Sequence, residues 1–335
     1  MSKRISFNKT GYDPFIDFLK AYAIIFVVVA HNFPSELWKY CLFQVWADMQ
    51  VPMFILIQVF HAYKKGTAPR IKWSSLLKRI VLPFVVIQAI ILSLRLLFSS
   101  ESPYNVLVSS VIGGGYGPGS YYFWIYIQVA ILLVWIWPLV KKLARIQLTC
   151  LFLFLSIGCE ILFSVINLPD FVYRLLAIRY LFLIPLALVW IDKGVELNVK
   201  NVALSVVSIA SVVFFSFSNL NLEPFFYQTG WATHRWICYF YLPILLTYVL
   251  WIVFNQVKRV DMISSAIKEV ARCSYEIYLA QMLVFVVFPM SRLSFIQSSY
   301  IRLPIWMILT FAISILGGIL LNRAEQRLYV FKSNE

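Results

Sequence analysis

The chain has 335 residues, is 61% hydrophobic and is only 13% charged, against about a quarter charged in soluble domains. This composition excludes a soluble enzyme and describes an all-α, polytopic membrane protein, read as a single membrane-embedded domain over 1–335 with no polar stretch long enough for a separate soluble one. The net charge of +14 invites a nucleic-acid reading, but the basic residues are distributed as a topology signal, not as a nucleic-acid footprint.

The N-terminus is short and basic, with Lys3, Arg4 and Lys9. The apolar segment after it lacks a small-residue cleavage site, so it reads as a retained helix and not as a signal peptide. That segment, Phe15 to Phe33, is long enough to cross a bilayer and holds Asp17, Lys20 and His31. At about 100° per residue, Lys20 and His31 are about 20° from eclipsing each other, and Asp17 and His31 about 40°. All three therefore project from one face, with His31 about 16 Å along the axis from Lys20. Ionisable groups inside a span usually face a bundle interior or an aqueous cavity. The plain alternative is that Asp17 and Lys20 snorkel at one end while His31 caps the other.

Hydropathy predicts about ten spans: 15–33, 46–62, 80–98, 121–140, 147–167, 175–191, 201–218, 236–254, 274–290 and 303–321. If the first begins inside, the inner segments hold most of the 29 Lys and Arg. The outer ones hold only Lys39, Arg174, Arg235, Arg292 and Arg302. The positive-inside rule then places both termini in the cytoplasm, His31 near the outer face and Lys20 near the inner one.

The second span carries Pro52, expected to kink it, and ends at His61, read as interfacial. The next inner loop, 64–79, contains Lys64, Lys65, Arg70, Lys72, Lys78 and Arg79. It reads either as an orientation signal in contact with anionic lipid or as a site for a phosphorylated cytosolic ligand. The outer loop GGGYGPGSYYFWIYIQ is too glycine-dense for a plain aromatic belt and reads as a substrate loop. Tyr116, Tyr121, Tyr122 and Trp124 there are a candidate platform for a sugar ring. It is not a phosphate loop, because it lacks the Gly-Lys-Ser/Thr ending. Span five holds Glu160 midway, and span six supplies Arg179. A Glu160–Arg179 pair would satisfy both charges and is open to a catalytic or a structural reading. The outer loop 219–235 ends in His234 and Arg235. Span nine opens with Glu276 and Gln281 in CSYEIYLAQM, and Gly317 with Gly318 suits close helix packing in span ten. Cys41, Cys150, Cys159, Cys238 and Cys273 have no metal or redox spacing, and no metal site is expected.

Taken in order, these segments resemble the membrane-bound acyltransferase 3 family over nearly the whole chain. IDFLKAYAIIFVVVAHNF is similar to the family's opening helix, in which an aspartate is followed by an arginine three residues on and a histidine after ten more. Asp17, Lys20 and His31 fall on those places. VPMFILIQVF resembles the helix that follows, GPGSYYFWIYIQ the loop and fourth helix of polysaccharide-modifying members, and YRLLAIRYLFL and SYEIYLAQM later segments. Three places depart from the pattern. Lys20, a point charge, replaces a forked arginine. Ile57 and Gln58 stand where serine-glycine is usual, and Gln281 stands where a late histidine often follows.

The resemblance implies an acyl-CoA-dependent O-acyltransferase of a bacterial cytoplasmic membrane. An acyl group, acetyl first of all, would pass from cytosolic acyl-CoA to a hydroxyl of an extracytoplasmic glycan or lipid-linked sugar. It implies His31 as general base or as the residue acylated in passing. Asp17 would orient Lys20, and Glu160 is the second candidate for catalysis. Lys20, Arg70, Lys72, Lys78 and Arg79 would bind the donor, and Tyr116, Tyr121, Tyr122, Trp124 and Arg179 the acceptor. The competing readings are a transporter or flippase of a lipid-linked sugar, and a non-catalytic scaffold.

Overall fold

The computed structural model describes residues 4–8, 11–34, 37, 40–47, 49–99, 101–196, 198–217 and 242–333. These are almost wholly helical. The expectations that rest on Lys3, Lys9, Lys39, Cys238 and the loop 219–235, with His234 and Arg235, fall outside the described residues.

Helix α1, Pro14–Asn32, starts where Asp13 caps it. The Phe15 N–H donates to the Asp13 side chain at 2.9 Å, and Pro14 sits where a missing N–H costs nothing. The helix stops at Phe33, before Pro34, because a residue preceding proline is pushed out of the helical region. Helix α2, Gln50–Tyr63, corrects the reading of Pro52. The helix begins later than hydropathy suggests, so Pro52 lies in its first turn, whose N–H groups have no helical partner to lose, and there is no kink to make. A second correction concerns the basic segment 64–79. Only its first part is a loop, because helix α3, Trp73–Phe98, takes in Lys78 and Arg79, with a π turn over Leu77–Val81.

Helices α4, Pro103–Ile112, α5, Tyr121–Trp135, and α6, Arg145–Val165, follow. The expected span 175–191 is not one helix. It divides into a 3-10 turn at Ala177–Tyr180 and helix α7, Leu183–Lys193. Eleven helical residues reach about 16 Å, half a hydrocarbon core. Helix α7 is accordingly a core helix, buried almost throughout and packed on α2 and α6. The remaining long helices are α8, Val199–Phe217, α9, Leu242–Val257, α10, Asp261–Arg272, α11, Ser274–Val287, and α12, Ser299–Ser333. A two-residue antiparallel pair, β1 at Arg4–Ile5 and β2 at Val195–Glu196, ties the N-terminal segment down.

Among the described residues, α1, α3, α6 and α12 are each long and apolar enough to cross a membrane, and α10 with α11 makes a fifth crossing only as a pair bent by 72°. The described apolar stretches of α2, α4, α5, α8 and α9 run 10–17 residues. These long apolar helices mark an integral membrane protein. Helices α3, α6 and α12 turn large apolar side chains such as Leu97, Phe154 and Leu320 outward. Helix α1 is different: it is mostly buried and packs against α2, α9, α10, α11 and α12. Helices α11 and α12 touch at the backbone, since a Cβ on Gly318 would lie 2.5 Å from Ile277 N. Small residues permit this approach where lipid leaves packing as the main attraction.

Candidate active site

Side chains from α1, α2, α3, α5 and α11 enclose a cavity of about 790 Å³, a size typical of small-molecule sites. Helix α1 supplies Lys20, Val27 and His31 to it. The steps of seven and four residues keep them on one face, and helical rise sets Lys20 and His31 about 16 Å apart. The cavity therefore runs along the helix, with an ammonium at one end and an imidazole at the other. Lys20 Nζ lies 3.2 Å from Asp17 Oδ1, one turn back. Asp17 does not line the cavity but a small neighbouring recess with Tyr12 and Lys268, so it holds Lys20 from behind.

His31 presents its ring edge-on to Phe285, with centroids 6.3 Å apart. Among the described residues neither of its ring nitrogens has a hydrogen-bond partner, which leaves the imidazole open to the cavity. The glycine loop borders it. A Cβ on Gly119 would sit 3.5 Å from His31 Nε2, 3.4 Å from the Tyr278 ring and 3.7 Å from Gln281 Nε2. Gly119 has φ +80, a conformation that side-chain-bearing residues avoid. Glycine here serves both the turn and the free space beside the imidazole.

The loop is held along its length. Arg174 Nη2 donates to Gly113 O at 3.0 Å, Trp124 Nε1 to Gly114 O at 2.6 Å and Ser120 Oγ to Gly115 O at 3.1 Å. Gln88 clamps Tyr116 from both sides, accepting its N–H at 2.7 Å and donating to its carbonyl at 3.0 Å. Tyr278 Oη donates to Gly119 O at 2.9 Å. Each bond is modest, but together they fix where Gly119 stands relative to His31.

Of the expected acceptor residues, Tyr121 and Tyr122 line the cavity. Tyr116 faces a second cavity beyond the loop. Trp124 anchors the loop and is otherwise exposed. Arg179 is buried behind the wall, its guanidinium 5.1 Å from the Tyr121 ring. Glu160 is buried on α6 and does not line the cavity; its helix packs against the turn that carries Arg179. Of the expected donor-binding residues, Arg70, Lys72, Lys78 and Arg79 are exposed. The residue after Arg79, Ile80, lines the cavity, and its carbonyl accepts Tyr275 Oη at 2.6 Å. The basic stretch thus ends at the cavity, on the Lys20 side.

Sequence reasoning missed several cavity residues. Gln50, Phe54, Gln58 and His61 form one face of α2, a spacing that was legible as i, i+4, i+8, i+11. Tyr275 and Tyr278 stand at i, i+3 on α11. Gln58 Nε2 donates to Tyr126 O at 2.9 Å, holding α2 to α5. Gln281, in place of the family's late histidine, is fully buried with Nε2 3.5 Å from Pro118 O. Among the described residues no three His, Cys, Asp or Glu side chains gather into a possible metal site.

A family model described as an acyltransferase domain matches residues 13–323, a stretch that contains every residue lining the cavity. None of the curated proteins and none of the solved structures compared with the chain matches it.

Proposed function

The chain belongs to the acyltransferase 3 family, and from that premise we propose that it transfers an acyl group, acetyl first of all, from acyl-CoA to a hydroxyl of a glycan or lipid-linked sugar. The observation that carries the reading is one continuous cavity lined by both Lys20 and His31, with mainly apolar and aromatic walls between them. The donor enters from the Lys20 end, which the positive-inside rule assigns to the cytoplasm. Its phosphates meet Lys20 and the basic residues 70–79, since Lys and Arg are the natural partners of phosphate, and its thioester reaches towards His31. The acceptor arrives from the other side, so neither substrate crosses the membrane whole.

At His31 the imidazole takes the proton of the acceptor hydroxyl as its oxygen attacks the thioester carbonyl carbon. The tetrahedral intermediate collapses, the carbon–sulfur bond breaks, and the thiolate leaves as CoA thiol on taking the proton from the imidazolium. The products are an ester and free CoA. If His31 were itself acylated first, the same atoms would move in two steps. Asp17 keeps Lys20 in place, and Tyr121 and Tyr122 provide the ring faces for a sugar.

The test is thiol release by the purified protein in detergent, with acetyl-CoA and a glycan extract of the native envelope, followed by mass spectrometry of the glycan. Free CoA with an equal gain of acetyl ester is expected. Glycan uptake into vesicles without thiol release would overturn the reading in favour of a transporter.

A further inference from the structure

A second cavity, of about 950 Å³, lies against the other side of the glycine loop. Gly115, Gly117, Pro118 and Ser120 line it, while Gly119 and Tyr121 line the first. The loop is therefore a shared wall, and at Gly119 that wall borders His31 Nε2. The C-terminal ends of α3 and α11 close the second cavity, at Phe98 and at Phe285 to Val287. It thus sits at the His31 end of the molecule, away from Lys20.

Its charge is lopsided. Three guanidinium groups line it, Arg95, Arg174 and Arg292, against one carboxylate, Glu101. Arg95 is buried, and both of its terminal nitrogens are engaged. It bridges Glu101 at 2.9 Å, donates to Ser109 and Ser110 Oγ at 3.1 Å each, and covers the Tyr116 ring at 3.6 Å. The other two are not matched. Arg174 spends Nη2 on Gly113 O, while its Nε is shielded from solvent with no hydrogen-bond partner. Arg292 is exposed and has no carboxylate partner among the described residues. The planar fork of an arginine suits carboxylate and phosphate oxygens, and a bound oxyanion would offset the excess of positive charge on this wall.

We infer that this second cavity is an acceptor subsite selective for sugars that carry an oxyanion, held by Arg174 and Arg292, with the ring on the Tyr116 face. The inference rests on the acyl-transfer reading for the word acceptor, but its charge selectivity stands on the cavity alone. The oxyanion is either the carboxylate of a uronic acid or the phosphate of a phosphate-linked sugar.

The experiment measures binding by calorimetry to the full chain in neutral detergent, without donor. The probes are methyl glucoside, methyl glucuronide, glucose 1-phosphate and inorganic phosphate. The charged sugars should bind at least about tenfold tighter than methyl glucoside, and the stronger of the two identifies the oxyanion. Arg292→Gln, at an exposed position, should remove about tenfold of that preference and flatten its salt dependence. Arg174→Lys should weaken it while keeping the charge, because the fork is lost. Equal binding of charged and neutral sugars, binding of none, or inorganic phosphate binding as well as glucose 1-phosphate would overturn the inference. In the last case the cavity is a bare anion site, such as one for a lipid headgroup. Charge-selective sugar binding together with no thiol release under any condition would leave this subsite standing and refute the acyl-transfer reading instead.

Discussion

Replacing Gly119 by alanine separates the reaction point from the fold. Gly119 has φ +80, and an L side chain there costs about 1–2 kcal/mol of backbone strain. The added methyl meets nothing closer than 3.4 Å, which is ordinary van der Waals contact, so no clash adds to that cost. The methyl does, however, stand 3.5 Å from His31 Nε2. An attacking hydroxyl must come within about 3 Å of the same nitrogen, so its approach from the loop side is blocked. Displacing a reacting group by about 1 Å typically costs about 10²-fold in rate. Gly119→Ala should therefore remain folded and slightly less stable, bind acetyl-CoA normally and transfer about 10²-fold more slowly. Gly66→Ala is the control, because Gly66 has φ +66 with nothing within 4 Å and carries the same strain without the proximity. The assays are melting of both variants in detergent, donor binding and thiol release at saturating donor. If Gly119→Ala transfers within about twofold of the parent, or if Gly66→Ala loses as much activity, the loop does not border the reacting atoms and the reasoning fails.

Three further outcomes are expected. His31→Ala should keep the fold and donor binding and lose about 10²- to 10⁴-fold in transfer; near-normal turnover would dismiss the imidazole as base, and joint loss of folding and donor binding would make it structural. Neutralising Lys78 and Arg79, exposed beside the cavity residue Ile80, should weaken acetyl-CoA binding at low salt and abolish most of its salt dependence; unchanged affinity would leave these residues as a topology signal. Glu160 and Arg179 are both buried on elements that pack together. If they pair, the harm done by Glu160→Gln should shrink in an Arg179→Gln background, whereas strict additivity in that cycle would show that they do not interact.

Much about this protein was legible without its fold. A chain this apolar has only helices to satisfy its backbone in lipid, so the all-α membrane class follows from composition. Helical geometry relates Asp17, Lys20 and His31 as soon as their segment is helical, because the angle and rise between residues of one helix depend only on their spacing. The i, i+4, i+8, i+11 face of α2 was equally available, but Gln58 and His61 there resemble ordinary interfacial residues until a partner helix shows that they look inward.

What the tertiary structure alone decided is the meeting of separate helices. YYFWIYIQVAILLVW of α5 has Gln128 as its one amide among apolar and aromatic residues, so its pattern barely prefers a face, and only packing turns Tyr122 and Tyr126 to the cavity and Trp124 to the loop. Gly119 stands beside His31, and Tyr278 beside both, across long stretches of intervening chain that no local period can span. Glu160 lay on an attractive apolar helix, yet packing put it behind the wall, because helix rotation is set by neighbours and not by the residue's own charge. Pro52 and the divided segment 175–191 turned on where helices begin. Hydropathy averages over a window and cannot see a start of that kind, whereas the backbone is bound by the hydrogen bonds each residue has to make.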